Sequence, residues 1–358
     1  MRAGSKKLLG KVVVPFIAVF LSLVIGGIVI ASAGADPLEA YGYLIRGAFG
    51  SMQSFGETLV KATPLIFTGL AAVFAYRCGM LNLGAEGQFV MGAIAAVWFG
   101  TVFTGVPAGL RLVVCIVLAM LAGAIWAAIP GVLKAKHNIN EMIITILLNY
   151  IATLFMSYLY SGPLMEERIP QTAAVEDGIK LTRFLGNTRA HTGIFLALAV
   201  VLLVYYFLFH TYKGYQLRAV GLNRDAALVN GFPVKRYMIL SFIISGMIAG
   251  MGGAMELLGS SYRLQAGFGT GYGFDGVAIA LIGQLHPFGT LLVAYLFAVL
   301  RCGANTMQVA TGITTAIVDI IQGVIIIFAV AGSAIVMLPE FNTFLSKLGK
   351  RKEENKWT

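Results

Sequence analysis

The residues of this chain that could do chemistry are polar side chains set inside apolar runs. Glu141, Asn149, Glu256, Asp275, Gln284, Asp319 and Gln322 each interrupt a hydrophobic stretch. An ionisable group in lipid is costly, so each must face protein or water. Glu141 and Asp275 sit near segment ends and fit an interfacial place, whereas Glu256 and Asp319 fall deeper. A second set opens an apolar run, in Gly79-Met80-Leu81-Asn82-Leu83-Gly84-Ala85-Glu86-Gly87-Gln88. Asn82 can cap the helix that follows, and Glu86 falls in its first turn, where the helix dipole favours an acid. The same string also reads as an unwound turn at membrane depth that exposes Asn82, Glu86 and Gln88 to a polar cavity. Phe67, Phe74, Phe89, Tyr150 and Phe155 could stack a planar ring, although most aromatics in such segments pack or anchor at interfaces. Cations near these acids are few, Arg301 and Arg263 lying at segment ends. That balance suits a path for a neutral polar solute better than one for an anion.

Other chemistries find no support in the residues. The four histidines (His137, His191, His210, His286) are scattered, so no metal site is expected. Cys78, Cys115 and Cys302 lie in or beside apolar segments without ligand-like spacing and read as packing residues. No Ser/His/Asp set or paired-carboxylate site stands out, which disfavours a membrane-embedded enzyme. Gly10-Lys11 and Gly349-Lys350 lack the rest of a phosphate-binding loop. The chain therefore cannot hydrolyse ATP by that route, and any ATP-driven work needs another polypeptide.

The elements that must hold these residues are membrane helices. Of 358 residues, 58% are hydrophobic and 12% charged, about half the charge of a soluble domain. The expected fold is all-α, a polytopic integral membrane protein with about ten membrane segments, including short broken or re-entrant helices. Apolar segments fall at 12–35, 58–77, 84–104, 110–133, 141–161, 191–211, 237–259, 275–285, 288–301 and 313–337. Gly246, Gly250 and Gly253 space the seventh segment for close helix packing. The stretch at 36–56 is read as a loop in which 41–55 forms a surface helix. Segments 275–285 and 288–301 are each too short to cross ~30 Å of hydrocarbon. With the breaker His286-Pro287-Phe288-Gly289 between them, they read as half-length helices that enter and return. A weak echo links 79–87 to Gly269-Thr270-Gly271-Tyr272-Gly273-Phe274-Asp275-Gly276, both glycine-rich with one acid before an apolar helix.

The formal charge of +10 is a topology signal rather than a nucleic-acid footprint. Four Lys/Arg precede the first segment, Arg77 closes the second, Lys134 and Lys136 follow the fourth, five lie in 213–236 and five in 347–356. The positive-inside rule makes that side cytoplasmic. It places both termini inside the cell membrane, with residues 1–11 and a basic tail at 341–358 cytoplasmic around a 12–340 transmembrane domain. The 162–190 loop mixes acids and bases and falls outside. The cytoplasmic stretch 213–236 is too polar to span and too short for a domain. Its helix-forming middle, Asp225 to Asn230, is closed by Gly231 and Pro233, a helix stop. A small helix at a membrane surface suits docking of a second protein that moves it.

Four strings together resemble a known family: Thr63 to Leu70, Gly79 to Gln88, Gly221 to Gly231, and Phe274 to Gly283. They look like ABC importer permeases, in the simple-sugar and nucleoside branch of the branched-chain amino acid and ribose permease family. The likeness covers about 57–340. Asp225-Ala226-Ala227 with Gly231 is similar to the Glu-Ala-Ala-…-Gly loop that such permeases dock into their ATPases, with Asp in place of Glu and no evident later Leu-Pro. The resemblance implies an ATPase subunit, a second permease subunit that is a paralogue, and an extracytoplasmic substrate-binding lipoprotein, with lipid around the whole. It implies no cofactor in this chain, ATP being used by the partner. Gly221, Asn223, Asp225, Ala226, Ala227, Gly231 and Phe232 would form the ATPase-coupling surface. Phe67, Asn82, Glu86, Gln88, Phe89, Asn149, Glu256, Asp275, Gln284 and Asp319 are the candidates for the path. The expected solute is a purine or pyrimidine nucleoside; the alternatives are a simple sugar such as ribose or a branched-chain amino acid. An ion-coupled secondary transporter using Glu256 and Asp319 as a relay is the rival class. A channel gives the broken helices and the docking loop no role.

Overall fold

In a computed structural model, residues 19–337 other than 167 and 313 are described. The expected cytoplasmic start at 1–11 and the basic tail at 341–358 lie outside the described residues. The chain divides into two compact units, one of residues 44–306 and one of 1–43 with 307–358. The helices in order are α1 (Val19–Ser32), α2 (Pro37–Phe49), α3 (Met52–Arg77), α4 (Ala85–Val102), α5 (Ala108–His137), α6 (Glu141–Ser161), α7 (Gly193–His210), α8 (Tyr212–Leu222), α9 (Arg224–Val229), α10 (Val234–Glu256), α11 (Tyr272–Ile282), α12 (Pro287–Thr311) and α13 (Ala316–Met337). Seven of the described helices are long and apolar enough to cross a membrane, and the bent pair α1 and α2, 116° apart, could make an eighth. The protein is an all-α, multi-pass membrane protein, and each of the ten expected apolar segments contains a helix.

Two boundaries differ from expectation. The surface helix expected at 41–55 is α2, which ends at Phe49; Phe55 already belongs to α3, started by Ser51 accepting from the Ser54 amide. The larger correction concerns the pair at 275–301. Only α11, with 11 residues, is short, while α12 runs 25 residues through Arg301 to Thr311. Arg301 reads as a terminus in the sequence, but its guanidinium pairs with Asp275 at 2.5 Å and stacks on Tyr272. The charge is neutralised in place, and the helix continues past it.

Within the larger unit α10 is central, packed on α3, α4 and α5. Lipid supplies no hydrophobic drive between helices, so close backbone approach and dispersion must hold them. The glycine spacing provides it. A methyl group on Gly250 would sit 2.3 Å from the Ala119 carbonyl oxygen, one on Gly246 2.3 Å from that of Gly123, and one on Gly253 2.0 Å from that of Phe89. Within the smaller unit, Gly26 leaves room for the Ile321 side chain, and the Tyr41 hydroxyl donates to the Leu23 carbonyl at 2.5 Å.

The 162–190 loop is ordered by the end of α10. It forms a small hairpin, β1 (Met165–Glu166) with β2 (Ile169–Thr172), and a short turn at Asp177–Ile179. Beyond α10 a π-turn, Leu257–Ser261, widens the helix and frees backbone groups. The loop takes them up: the Leu181, Val175 and Thr172 amides donate to the carbonyls of Leu258, Tyr262 and Leu264, each at 2.9 Å. Arg111–Glu176, Arg263–Glu166 and Arg189–Glu57 pin it by ion pairs. His191 is enclosed with its ring against Gly259, and its Nδ1 accepts from the Gly193 amide at 3.2 Å.

Gly250→Leu should lower the melting temperature of the detergent-solubilised protein, by an amount equivalent to about 2–3 kcal/mol, because the obstruction is backbone and cannot rotate away. Gly105→Leu, with nothing within 4 Å, should leave it unchanged. A pH effect follows from His191. Burial first, and the Arg189 charge second, push its imidazole down to about 4, against about 6.5 in an unfolded chain. The unfolded form therefore holds the extra proton between those values. Stability is full above pH about 6.5 and is lost as pH falls towards 4. Hydrogen exchange of residues 181–195 should accelerate over that range, and His191→Gln should flatten the dependence.

Candidate functional site

The site begins where the chain stops being helical. After α3, Gly79 at φ +70° turns the backbone, and helix resumes only at Ala85. The backbone groups exposed by this break need partners, and side chains supply them. The Asn82 carbonyl oxygen accepts from the Gly84 amide at 2.9 Å and from Gln88 at 3.1 Å. Its amide donates to Gln88 at 3.0 Å and to the Ser245 hydroxyl of α10 at 2.9 Å. Asn149 of α6 accepts from the Gly87 amide and donates to the Leu83 carbonyl, both at 2.8 Å. The side-chain cap on α4 therefore comes from Asn149; Asn82 sits two residues before the N-cap position, Gly84. Asn82, Gln88 and Asn149 are buried, and their polar atoms bond to protein. Glu86 falls in the first turn of α4 as expected.

The two glycine-rich strings meet here. The start of α11 lies on the start of α4 so closely that a methyl group on Gly273 would be 2.2 Å from the Glu86 amide nitrogen. The Glu86 carboxyl faces the Gly271, Gly273 and Phe274 amides, while its Oε2 is buried without a hydrogen-bond partner among the described residues. Gly271 opens α11 at φ +83°, a conformation side chains resist. On α11, Asp275 is paired with Arg301, and the Tyr272 hydroxyl lies 3.5 Å from the Lys61 ammonium. Glu256 is buried at the end of α10; its Oε1 accepts from the Ser261 hydroxyl at 3.3 Å and its Oε2 has no partner among the described residues. Lys61 and Arg189 are the cations that bear on it.

The remaining candidates lie elsewhere. Phe67 and Phe89 are fully enclosed, with ring faces against Gly252, Phe268 and Tyr272. Glu141 is paired with Lys134 at 2.9 Å. Gln284 sits in the turn after α11 at φ +55°, where the Arg77 guanidinium reaches the carbonyls of Gln284 and Leu285. Asp319 is less deep than expected: it is exposed, in the first turn of α13, and belongs to the smaller unit. Sequence reading overlooked Glu57 and Lys61, four residues apart on α3. With Gln53, Arg301 and Asn305 they line a cavity of about 380 Å³ at the hairpin end of α3 and α12. A carboxylate and an ammonium one turn apart at the head of an apolar run was the available signal.

The opposite end of α3 carries α8 and α9. The Asn223 side chain accepts from the Ala226 amide at 2.9 Å and starts α9. Gly231 at φ +79° ends it: its amide donates to Leu228 at 2.9 Å and that of Phe232 to Ala227 at 3.0 Å. That pair of bonds is the Schellman stop, and Pro233 follows. Ala227 is buried and Phe232 half-buried, whereas Asp225 and Ala226 are exposed, as are Leu222 and Val229, each at 88%. A groove of about 590 Å³ runs from α9 to the end of α5, with Lys136, Lys235 and Arg236 in its lining. Two contacts tie α9 to the break. Gly221 lies so near the end of α3 that a methyl group would be 2.2 Å from the Arg77 carbonyl oxygen. The Arg224 guanidinium donates to the Gly79 carbonyl at 2.8 Å.

Residues 54–330 match the family described as the branched-chain amino acid transport system / permease component. A guanosine ABC transporter permease of Bacillus subtilis is 38% identical over 92% of this chain and 96% of its own length. A glucose ABC transporter permease of Haloferax volcanii is 34% identical over 88% and 86%. A nucleoside ABC transporter permease of Lactococcus lactis subsp. cremoris is 32% identical over 97% and 98%. With a match of that extent over nearly all its membrane helices, the chain belongs to the branched-chain amino acid transport permease family, a family of transport components rather than enzymes.

Proposed function

We propose that this chain carries a nucleoside through the cell membrane as one of two permeases in an ATP-driven importer, moved by a separate ATPase that grips α9. The observation that carries this reading is the tie between an exposed six-residue helix and the break between α3 and α4. A push on α9 is delivered to backbone at the root of the helices that hold the candidate path. Rigid tilting of those helices then alternates access from one side to the other. Leu222 and Val229 would insert into the ATPase, and Lys136, Lys235 and Arg236 would meet its rim or lipid head groups.

Sidedness follows from charge. Arg77, Lys134, Lys136, Arg224, Lys235 and Arg236 gather at the α9 end, which is therefore cytoplasmic; the lysines and arginines at both ends of the sequence assign the termini to the cytoplasm by the same rule. The hairpin end faces out and receives solute from a binding lipoprotein. The second permease is a paralogue. The chain needs no cofactor of its own, ATP being consumed by the partner. A nucleoside is preferred because two relatives are named for guanosine and nucleosides. The glucose relative keeps a sugar as the second reading, and all three names share a hydroxyl-bearing ring. The ion-coupled alternative loses support from the family and from the exposed position of Asp319.

The exposed Ala226 and the buried Ala227 separate docking from folding. Ala226→Glu should reduce ATP-driven guanosine uptake at least about tenfold and abolish co-purification of the ATPase, with normal membrane expression. Normal uptake would refute α9 as the docking element. Arg224→Gln should keep the ATPase bound and hydrolysing while uptake falls, since it cuts the link to Gly79 and Met80 and leaves the exposed residues of α9 in place; parallel loss of both activities would refute that link.

A further inference from the structure

The cavity at the outer end of α3 and α12 has a lining suited to one chemistry. Gln53, Glu57, Lys61, Arg301, Asn305 and Thr306 offer amide, carboxylate, ammonium, guanidinium and hydroxyl groups. No aromatic ring and no large aliphatic side chain is among its described lining residues. Ligand pockets of ~300–1,000 Å³ ordinarily have mostly apolar walls with a few polar groups. This cavity, at about 380 Å³, has a larger polar share than that and no ring among its described lining residues, so it has nothing on which to stack a flat base.

Two of its three charges are paired inside the protein. Arg301 is paired with Asp275 at 2.5 Å and Glu57 with Arg189 at 3.6 Å, while the Lys61 ammonium lies 3.5 Å from the Tyr272 hydroxyl. An ionic solute would meet two ion pairs already made and gain little from either. Hydroxyl groups are different, because each can donate to a carboxylate or amide oxygen and accept from an N–H at once. The Gln53 and Asn305 side chains are exposed and make no hydrogen bond to the described residues, which leaves their amide groups available.

We propose that this cavity reads the hydroxyl groups of the solute's sugar ring and leaves the base unread. The proposal rests on the nucleoside reading for its solute, but its chemistry belongs to the cavity. Specificity for the sugar is set in the permease, in addition to any selection by the binding lipoprotein. A site built to hydrogen-bond a hydroxyl discriminates strongly against an analogue lacking it, because its own polar groups are left unpaired.

The test uses the complete transporter in proteoliposomes with saturating lipoprotein, so that the lipoprotein's preference is common to all variants. Uptake of guanosine and of 2′,3′-dideoxyguanosine is compared in the native protein, Asn305→Ala and Gln53→Ala. Both positions are exposed, so folding is preserved, and native melting temperatures check this. Each variant should lower guanosine uptake roughly 5–10-fold, the worth of one or two hydrogen bonds, and leave dideoxyguanosine uptake almost unchanged. The native preference for the hydroxylated solute thus collapses. Equal loss for both solutes, or no loss for either, overturns the proposal. If the native protein takes up no nucleoside, the same variants are assayed with glucose. Loss there supports the hydroxyl-reading cavity and discards only the nucleoside reading, whereas glucose uptake indifferent to both variants overturns the cavity's role.

Discussion

A backbone amide that leaves a helix within a bilayer has no water to turn to, and that constraint organises this molecule. The chain departs from helix at 78–84, between α3 and α4, and again at 283–286, between α11 and α12. Each departure is met by polar side chains. Asn82 from within the break and Asn149 from α6 serve the first, Arg224 reaches it from α9, and Arg77 of α3 serves the second. These residues share a role that their chemical variety conceals: they let irregular backbone persist where hydrocarbon would otherwise enforce a helix. Irregular backbone is what gives a helix bundle places to bend.

The same accounting explains the intramembrane charges. Asp275 and Arg301 are 26 residues apart in sequence and form one neutral unit in space. Lys134 and Glu141 close the turn between α5 and α6 in the same way. At the cavity of α3 and α12, Arg301 is held by Asp275 and Glu57 by Arg189, so two of its charges are already paired within the protein.

Much of this was legible in the chain because it depends on local chemistry. The apolar segments, the glycine column of α10, the stop at Gly231 and Pro233, and the shortness of α11 all follow from neighbours in sequence. What was not legible depends on partners far along the chain. Arg301 resembles a helix end until Asp275 is seen beside it, which is why α12 was expected to be half its true length. Asn82 looks like a cap or a cavity residue until Ser245 and Gln88 are seen to take its hydrogen bonds. Lys61 and Glu57 were overlooked because a lone turn of charge at the head of an apolar helix looks interfacial, and only the packing of α12 makes a cavity of it. The echo between 79–87 and 269–276 was faint as sequence, yet the two strings touch, each opening a helix at the same depth.

The shorter bond from Arg224 ends on a carbonyl oxygen, with the Met80 sulfur a second, longer acceptor at 3.4 Å. Position 79 can change identity only at a backbone cost, and no side chain placed there takes the carbonyl away from the guanidinium. A link of this kind leaves no correlated pair of substitutions in a lineage. Comparative genetics would register a stubborn arginine and no partner at position 79 that varies with it, even though the far end of the contact is the break between α3 and α4.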